Sequence, residues 1–337
     1  KGAKVNMTRT TDVDVYGPNA SGPDELQARV DVGTANKSDI FVSVHINSFS
    51  NPNVGGISTY YYDKTQYDTR LASRIQAKIA DESGFAGDRG IQPGNLYVLR
   101  RSLMPAILLE LGFISNPKEE ALLKKDNVQQ QFADEVAAGI ESYFRGVSDM
   151  IRNAKLFVTT LLAVMVLVVA GCSPTASGSE LGNNQAVASS STSKSQSNAN
   201  TDKMAQMVIY VPRDDGRGVR PQTITVDSDK KTLKYAISFL FDEDSRQSYP
   251  VFPKNVEVKD VNIKDGLAKI NLSKQFLDGG QVDGLSAQLR LASIINTATS
   301  FDNVKKVQLL VEGKTVNLYG GYDLSEPMGR MEQQIVK

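Results

Sequence analysis

His45 is the only histidine in a chain of 337 residues, and it stands near the end of the apolar run Phe41-Val42-Ser43-Val44-His45-Ile46-Asn47. Glu110 places a carboxylate inside a second apolar run, Ile107-Leu108-Leu109-Glu110-Leu111-Gly112-Phe113. In open α/β sheets, ligands bind at the carboxyl ends of the strands, where such residues would sit. A carboxylate in those surroundings has to be paired, metal-bound or raised in pKa, because burying it bare costs several kcal/mol. The residues alone leave two accounts open. One is an acid–base or metal site; the other is a hydrogen-bonded structural histidine together with a Glu110 paired to Arg9, Arg100 or Arg101. A third reactive group is Cys172, the only cysteine, so no intrachain disulfide can form.

The elements that must position these residues alternate between apolar runs and helical periodicity. Ala3–Met7, Ile40–His45, Ile57–Tyr62 and Ala106–Leu111 read as strands, and Leu96–Leu99 as a further apolar run. Asp24–Asn36, Thr69–Ser83 and Val128–Phe144 read as helices; the last places Phe132, Val136, Ile140 and Phe144 on one stripe, which is core spacing. This alternation predicts an α/β domain over residues 1–148, with a mostly parallel twisted sheet flanked by helices.

Four ordered motifs carry a family resemblance: Thr8-Arg9-Thr10-Thr11-Asp12, the run from Ala35 to Asn47, Asn95-Leu96-Tyr97-Val98-Leu99-Arg100, and the run from Met104 to Asn116. Together they resemble the zinc-dependent N-acetylmuramoyl-L-alanine amidases, through nearly all of Lys1–Phe144. The resemblance implies a six-stranded, mostly parallel sheet, with His45 as a zinc ligand and Glu110 as the catalytic glutamate. It also implies hydrolysis of the amide between N-acetylmuramic acid and L-alanine in peptidoglycan. Arg9 and Asn47 are weaker candidates for substrate contacts; Asn47 reads equally as a turn residue. Members of that family carry an earlier histidine and a glutamate ligand upstream of the Thr-Arg motif, which here already stands at Thr8-Arg9. The sequence therefore looks like an N-terminally truncated amidase, expected to bind Zn2+ weakly and to turn over little or not at all.

Met150–Cys172 has a basic flank at Arg152 and Lys155, an apolar run from Leu156 to Ala170, and small residues before Cys172. That layout matches a secretory signal with a lipobox-like end, and the run is shorter than the roughly 20 apolar residues a bilayer span takes. Cys172 is then the lipidation site, with the membrane reached through its lipid or through the 156–170 segment. Residues 173–203, rich in Ser, Asn, Gly, Thr and Ala, read as a flexible linker. The basic flank would keep the first domain in the cytoplasm, away from peptidoglycan. Either two adjacent reading frames are joined at Met150, or the chain is a true fusion with an internal anchor.

Residues 204–337 read as a smaller α+β domain. Met207–Val211 is a strand, Thr232–Phe241 and Leu285–Thr299 are helices, and hairpins turn at Lys264-Asp265-Gly266 and Glu312-Gly313-Lys314. Gly266–Ser273, Phe276–Gly280, Ile295–Thr297, Val307–Lys314 and Leu324–Pro327 resemble the GerMN domain of sporulation and germination lipoproteins, implying an envelope module without an enzymatic role. Consistent with this, no histidine or cysteine follows Cys172. Asp242-Glu243-Asp244 reads as a solvated helix end rather than a calcium site. Gly279-Gly280 and Gly320-Gly321 read as turns without a phosphate-loop pattern. Tyr249, Tyr319 and Tyr322 could line a glycan or partner surface, though core positions are commoner for such tyrosines.

Lys and Arg number 38, as do Asp and Glu, a balance unlike that of a dedicated nucleic-acid binder. No nucleotide-binding motif is present. The sequence thus points to an extracytoplasmic, membrane-associated peptidoglycan hydrolase carrying a GerM-like module. The rival reading is a non-catalytic envelope lipoprotein that takes part in sporulation, germination or cell-wall binding.

Overall fold

The computed structural model describes residues 2–16, 21–80, 84–168, 204–278 and 284–336, without the side chains of 149–168. Lys1–Tyr143 and Met204–Lys337 form one compact unit, and Phe144–Lys203 a second. Cys172, the 173–203 linker, Gly279-Gly280 and the end of the predicted 69–83 helix lie outside the described residues. Among the described residues no helix is long and apolar enough to cross a membrane, a statement that does not extend to the 156–170 run.

The N-terminal part contains α1 (Gly22–Ala35), β1 (Phe41–Asn47), β2 (Ile57–Tyr61), α2 (Gln66–Ile79), β3 (Asp88–Pro93), α3 (Tyr97–Arg101), β4 (Ala106–Phe113), α4 (Pro117–Leu123) and α5 (Asp126–Val168). Both α1 and α2 start at capping boxes, Ser21 with Asp24 and Thr65 with Asp68, which satisfy N–H groups the first turn would leave orphaned. The box at Thr65 starts α2 three residues before the predicted Thr69, because capping outweighs the apolar periodicity used to place it. The sheet has the order β1-β4-β2-β3, with β1–β4 and β2–β3 parallel and β2–β4 antiparallel. Every residue of β4 is buried, as its near-continuous apolar sequence requires of a central strand. At Gly139 of α5 a Cβ would come 2.7 Å from the Ile75 Cα, so the absent side chain lets α5 lie directly on α2.

The sheet is four-stranded and mixed rather than six-stranded. The predicted Ala3–Met7 strand is irregular: it pairs with no described strand, and Val5 and Met7 stay 73% and 64% exposed. β3, which Gly90 and Pro93 hide from a strand pattern, is an element the sequence did not indicate. Leu96–Leu99 turns into α3.

The C-terminal part contains β5 (Met204–Pro212), β6 (Val219–Asp227), α6 (Leu233–Ser245), β7 (Val258–Lys264), β8 (Leu267–Leu272), α7 (Gly284–Ala298), β9 (Lys306–Val311), β10 (Lys314–Thr315), β11 (Leu318–Tyr319) and β12 (Tyr322–Asp323). The two predicted hairpins form. Asp265 and Gly266 take φ of 53° and 80°, and Glu312 and Gly313 take 48° and 77°, the left-handed pair that a two-residue hairpin turn needs. Asp244 corrects a prediction. It is wholly buried, not a solvated helix end, and its carboxylate accepts the N–H groups of Val251 and Phe252 at 3.0 and 2.9 Å. Backbone donors in a returning loop, which spacing does not reveal, draw it inward.

The two parts share their cores. One apolar cluster holds Val30, Tyr60, Leu96 and Leu108 together with Ala287, Leu291 and Tyr322; another joins Phe49, Val54 and Phe113 to Val219, Leu285 and Leu289. The β11–β12 hairpin reaches the Asn95–Tyr97 backbone, with Tyr97 N–H donating to Gly321 O and Asp323 N–H to Asn95 O, each at 2.8 Å. Asp323, fully buried, meets Arg101 Nε at 3.0 Å and Arg100 Nη1 at 3.3 Å. At the far side, Arg89 Nη2 donates to Gly216 O at 2.6 Å and Asn51 Nδ2 to Asp214 O at 2.9 Å.

Candidate active site

β1 and β4 run parallel with His45 directly beside Glu110, and β2 sets Ser58 on the other side of Glu110. Residues in register on neighbouring strands share a face, and alternate residues of one strand repeat it. One face therefore carries Ser43, His45 and Asn47 from β1, Leu108 and Glu110 from β4, and Tyr60 from β2. These side chains line a cavity of about 830 Å³. Its opposite wall comes from the C-terminal part, including Gly284, Arg290 and Tyr322. A Cβ on Gly284 would stand 3.9 Å from Glu110 Oε1, which puts the first residue of α7 over that carboxylate.

Glu110 is 6% exposed. The arginines proposed as its structural partners are engaged elsewhere: Arg100 and Arg101 by Asp323, while Arg9 lies 3.7 Å from Asp12. His45 stands at the rim of the cavity, exposed as a residue, with Nε2 3.0 Å from Ser43 Oγ. Desolvation by the walls is the first cause that holds its imidazole below the usual histidine range, and the charges of Arg29 and Arg9 push the same way. A ring held neutral is the form that can donate a lone pair. Arg29 is itself paired with Glu25 of α1 at 2.9 Å. The Tyr322 hydroxyl is held protonated first by burial and then by Tyr60 and Glu110.

Asn47 is buried on the cavity wall, where its side-chain oxygen accepts the Ser48 N–H at 2.8 Å and its backbone carbonyl accepts Ile114 N–H at 2.8 Å. It thus ends β1 as a turn residue while facing the cavity. Arg9 lines the same space from the irregular N-terminal stretch. The structure brings Arg9, His45, Asn47 and Glu110 together; Cys172 lies outside the described residues.

Three contributors escaped the sequence reading. Tyr60 donates its hydroxyl to Gln288 Oε1 at 2.8 Å, tying the cavity floor to α7 across 228 positions of sequence. Arg290 enters from the same helix. Glu119, 1% exposed, accepts the N–H groups of Gly56, Ala86 and Phe113 at 2.7 to 2.8 Å, pinning the loops beneath the site. A signal for Glu119 existed, since a carboxylate two residues after Pro117 follows an N-capping Asn116.

A catalytic zinc takes three protein ligands. Among the described residues no group of three His, Cys, Asp or Glu side chains is placed to hold a metal ion. The single imidazole beside one carboxylate does not make such a set, and the chemistry below is drawn for Glu110 and its neighbours alone.

Comparison with known proteins agrees with this division of the chain. Residues 1–142 match the family profile of N-acetylmuramoyl-L-alanine amidase, and residues 208–317 that of sporulation and spore germination. An uncharacterized cell wall amidase of Bacillus anthracis is 39% identical over 150 residues, covering 42% of this chain and 28% of the relative. The probable cell wall amidase LytH of Staphylococcus aureus is 34% identical over 144 residues, 43% of this chain and 44% of its own. The catalytic domain of the amidase CwlV from Bacillus (Paenibacillus) polymyxa is 38% identical over 36% of this chain and 65% of that one, at a TM-score of 0.34. The chain thus spans 28% and 44% of the two curated relatives. It carries an N-acetylmuramoyl-L-alanine amidase domain over residues 1–142, joined to a sporulation and spore germination domain over residues 208–317.

Proposed function

We propose that the cavity binds the muramoyl–L-alanine junction of peptidoglycan and that Glu110 is its acid–base group. The observation that carries this is the register of β1 and β4, which sets His45 and Glu110 side by side on the cavity face of a domain that matches the amidase family. Glu110 would take a proton from the attacking water and return it to the leaving amine of L-alanine, general base and then general acid. Asn47 and Arg9 are the proposed substrate contacts. His45 is the proposed metal donor for Zn2+; a bound zinc would supply Lewis-acid polarisation of the amide carbonyl. With one imidazole and no three-donor group among the described residues, zinc should bind this chain weakly.

The same observation favours a second reading, in which the chain holds muramoyl peptides without turning them over. Domain limits of 1–148 and 204–337, a signal or anchor over 150–172 with Cys172 as its lipidation site, and a 173–203 linker complete the proposal. They place the protein on the outer face of the membrane, where its substrate lies.

Purified full chain, with and without excess zinc, should be assayed for newly freed L-alanine amino groups on peptidoglycan and for bound metal. We expect zinc well below one equivalent and a trace of cleavage that Glu110→Gln abolishes. Cleavage that survives Glu110→Gln would overturn the assignment of Glu110. Full turnover with stoichiometric zinc would overturn the incomplete donor set.

A further inference from the structure

The second domain does more than cover the sheet face: one of its cations is fixed in the cavity wall and aimed without an ion-pair partner. Arg290 Nε donates to Val251 O at 2.7 Å and Nη1 to the Tyr319 hydroxyl at 2.6 Å. Tyr319 is buried and stacked on Phe276 with ring centroids 4.6 Å apart, so the guanidinium is anchored to a rigid support. Among the described residues Arg290 forms no ion pair and Nη2 no hydrogen bond. The other cations behave differently: Arg29 is neutralised by Glu25, and Arg9 lies near Asp12. Asp278, on the same wall as Arg290, is exposed and not within ion-pair distance of it.

The geometry points to an anion-binding subsite at Arg290 that receives a free carboxylate of the peptide attached to the muramoyl group. This rests on the muramoyl-peptide reading above and adds the second domain to substrate recognition. Spacing fits the assignment. Gly284 stands over Glu110, and Arg290 follows six residues later on α7, about 9 Å along the helix at 1.5 Å per residue. A carboxylate on the second residue of an extended peptide lies about 7 Å from the amide that joins the peptide to the sugar, and the length of the arginine side chain spans the remainder. A planar guanidinium with its Nε and one Nη fixed presents the remaining Nη to an acceptor at little entropic cost, which suits a carboxylate better than a neutral amide.

The test is equilibrium binding of N-acetylmuramoyl-L-alanyl-D-glutamate and of its diamide to the full chain. Wild type should bind the acid about tenfold more tightly than the diamide, the size of one charge-assisted hydrogen bond, and the preference should shrink as salt rises. Arg290→Gln should bind both forms as wild type binds the diamide, whereas Arg9→Gln should keep the preference. Equal binding of acid and diamide by wild type would overturn the subsite and leave the muramoyl-peptide reading standing. Failure of wild type to bind either form would overturn both. If Arg290→Gln does not fold, Arg290→Lys, which keeps the charge and loses the fork, should retain part of the preference; a preference as large as wild type in that variant together with no salt dependence would refute the assignment.

Discussion

Asp323→Ala should separate the two parts of the fold more than any other single substitution. The Asp323 side chain is 1% exposed and joins Arg100 and Arg101 of α3 at 3.3 and 3.0 Å. Its other oxygen accepts the Ser325 N–H at 3.0 Å and the Ser325 hydroxyl at 2.6 Å. Breaking a buried pair from one side costs about 3–5 kcal/mol. Here the arginine side chains are 24% and 42% exposed, so water recovers part of that loss and about 2–3 kcal/mol remains. A domain pair of this size has a urea m-value near 2–3 kcal/mol/M, so the midpoint should fall by about 1 M. With no tryptophan in the chain, far-UV circular dichroism is the suitable probe. Wild type should unfold in one transition because its parts share core clusters, and the variant should shift that transition or split it. In a double-mutant cycle, Arg101→Ala should shift the midpoint less in the Asp323→Ala background than in wild type. A midpoint change under about 0.2 M, or strict additivity with Arg101→Ala, would refute the reasoning. Burial alone would raise the Asp323 pKa, but Ser325, Arg101 and Arg100 together hold it below the ordinary value. Its contribution is therefore present above about pH 4, the unfolded value, and is lost as pH falls through the lower folded one.

Asp244 should act with the opposite sign. Its pKa is raised from 3.8 to about 6, chiefly by desolvation and against the pull of the Phe252 and Val251 N–H groups. Stability from this group should be fully present below about pH 4 and lost as pH rises through about 6, on the order of 3 kcal/mol in all. Asp244→Asn, which keeps an acceptor, should flatten that slope in denaturation midpoints measured from pH 4 to 7; an unchanged slope would contradict it. Glu119→Ala strands three buried N–H donors and should lower stability by about 3–5 kcal/mol, whereas the exposed neighbour Glu120→Ala should change it by under about 0.5 kcal/mol in the same melt. Gly139→Leu should be about as damaging as Glu119→Ala, because its Cβ would meet the Ile75 backbone; a melting temperature within 2 °C of wild type would contradict the close helix contact.

Much of the secondary structure was legible because local chemistry decides it: apolar runs for β1, β2 and β4, and Asp-Gly and Glu-Gly turns for the hairpins. His45 and Glu110 stood out for the same reason, each a polar residue where a strand needs none. What stayed hidden is long-range. The signal-like segment at 150–172 argued for two separate proteins, yet Tyr60 with Gln288 and Arg101 with Asp323 join the two parts over more than 200 positions. No periodicity in either half encodes such pairing. Asp244 was misjudged because three adjacent carboxyl residues look solvated until the Val251–Phe252 backbone folds over one of them. Arg290 reads as an ordinary surface arginine on a helix until its helix is laid across the sheet face.

The central claim is that the face carrying His45 and Glu110 holds the muramoyl–alanine junction. Its most direct test is binding of N-acetylmuramoyl-L-alanyl-D-glutamate to the full chain and to Gly284→Phe, whose new side chain would project toward Glu110. Gly284 begins α7 outside the left-handed region, so its backbone can accept a side chain. The account predicts saturable binding by wild type, and a loss of at least about tenfold in Gly284→Phe at an unchanged melting temperature, a difference of roughly 1.4 kcal/mol. Undiminished binding to the filled site, or none to the open one, would contradict it.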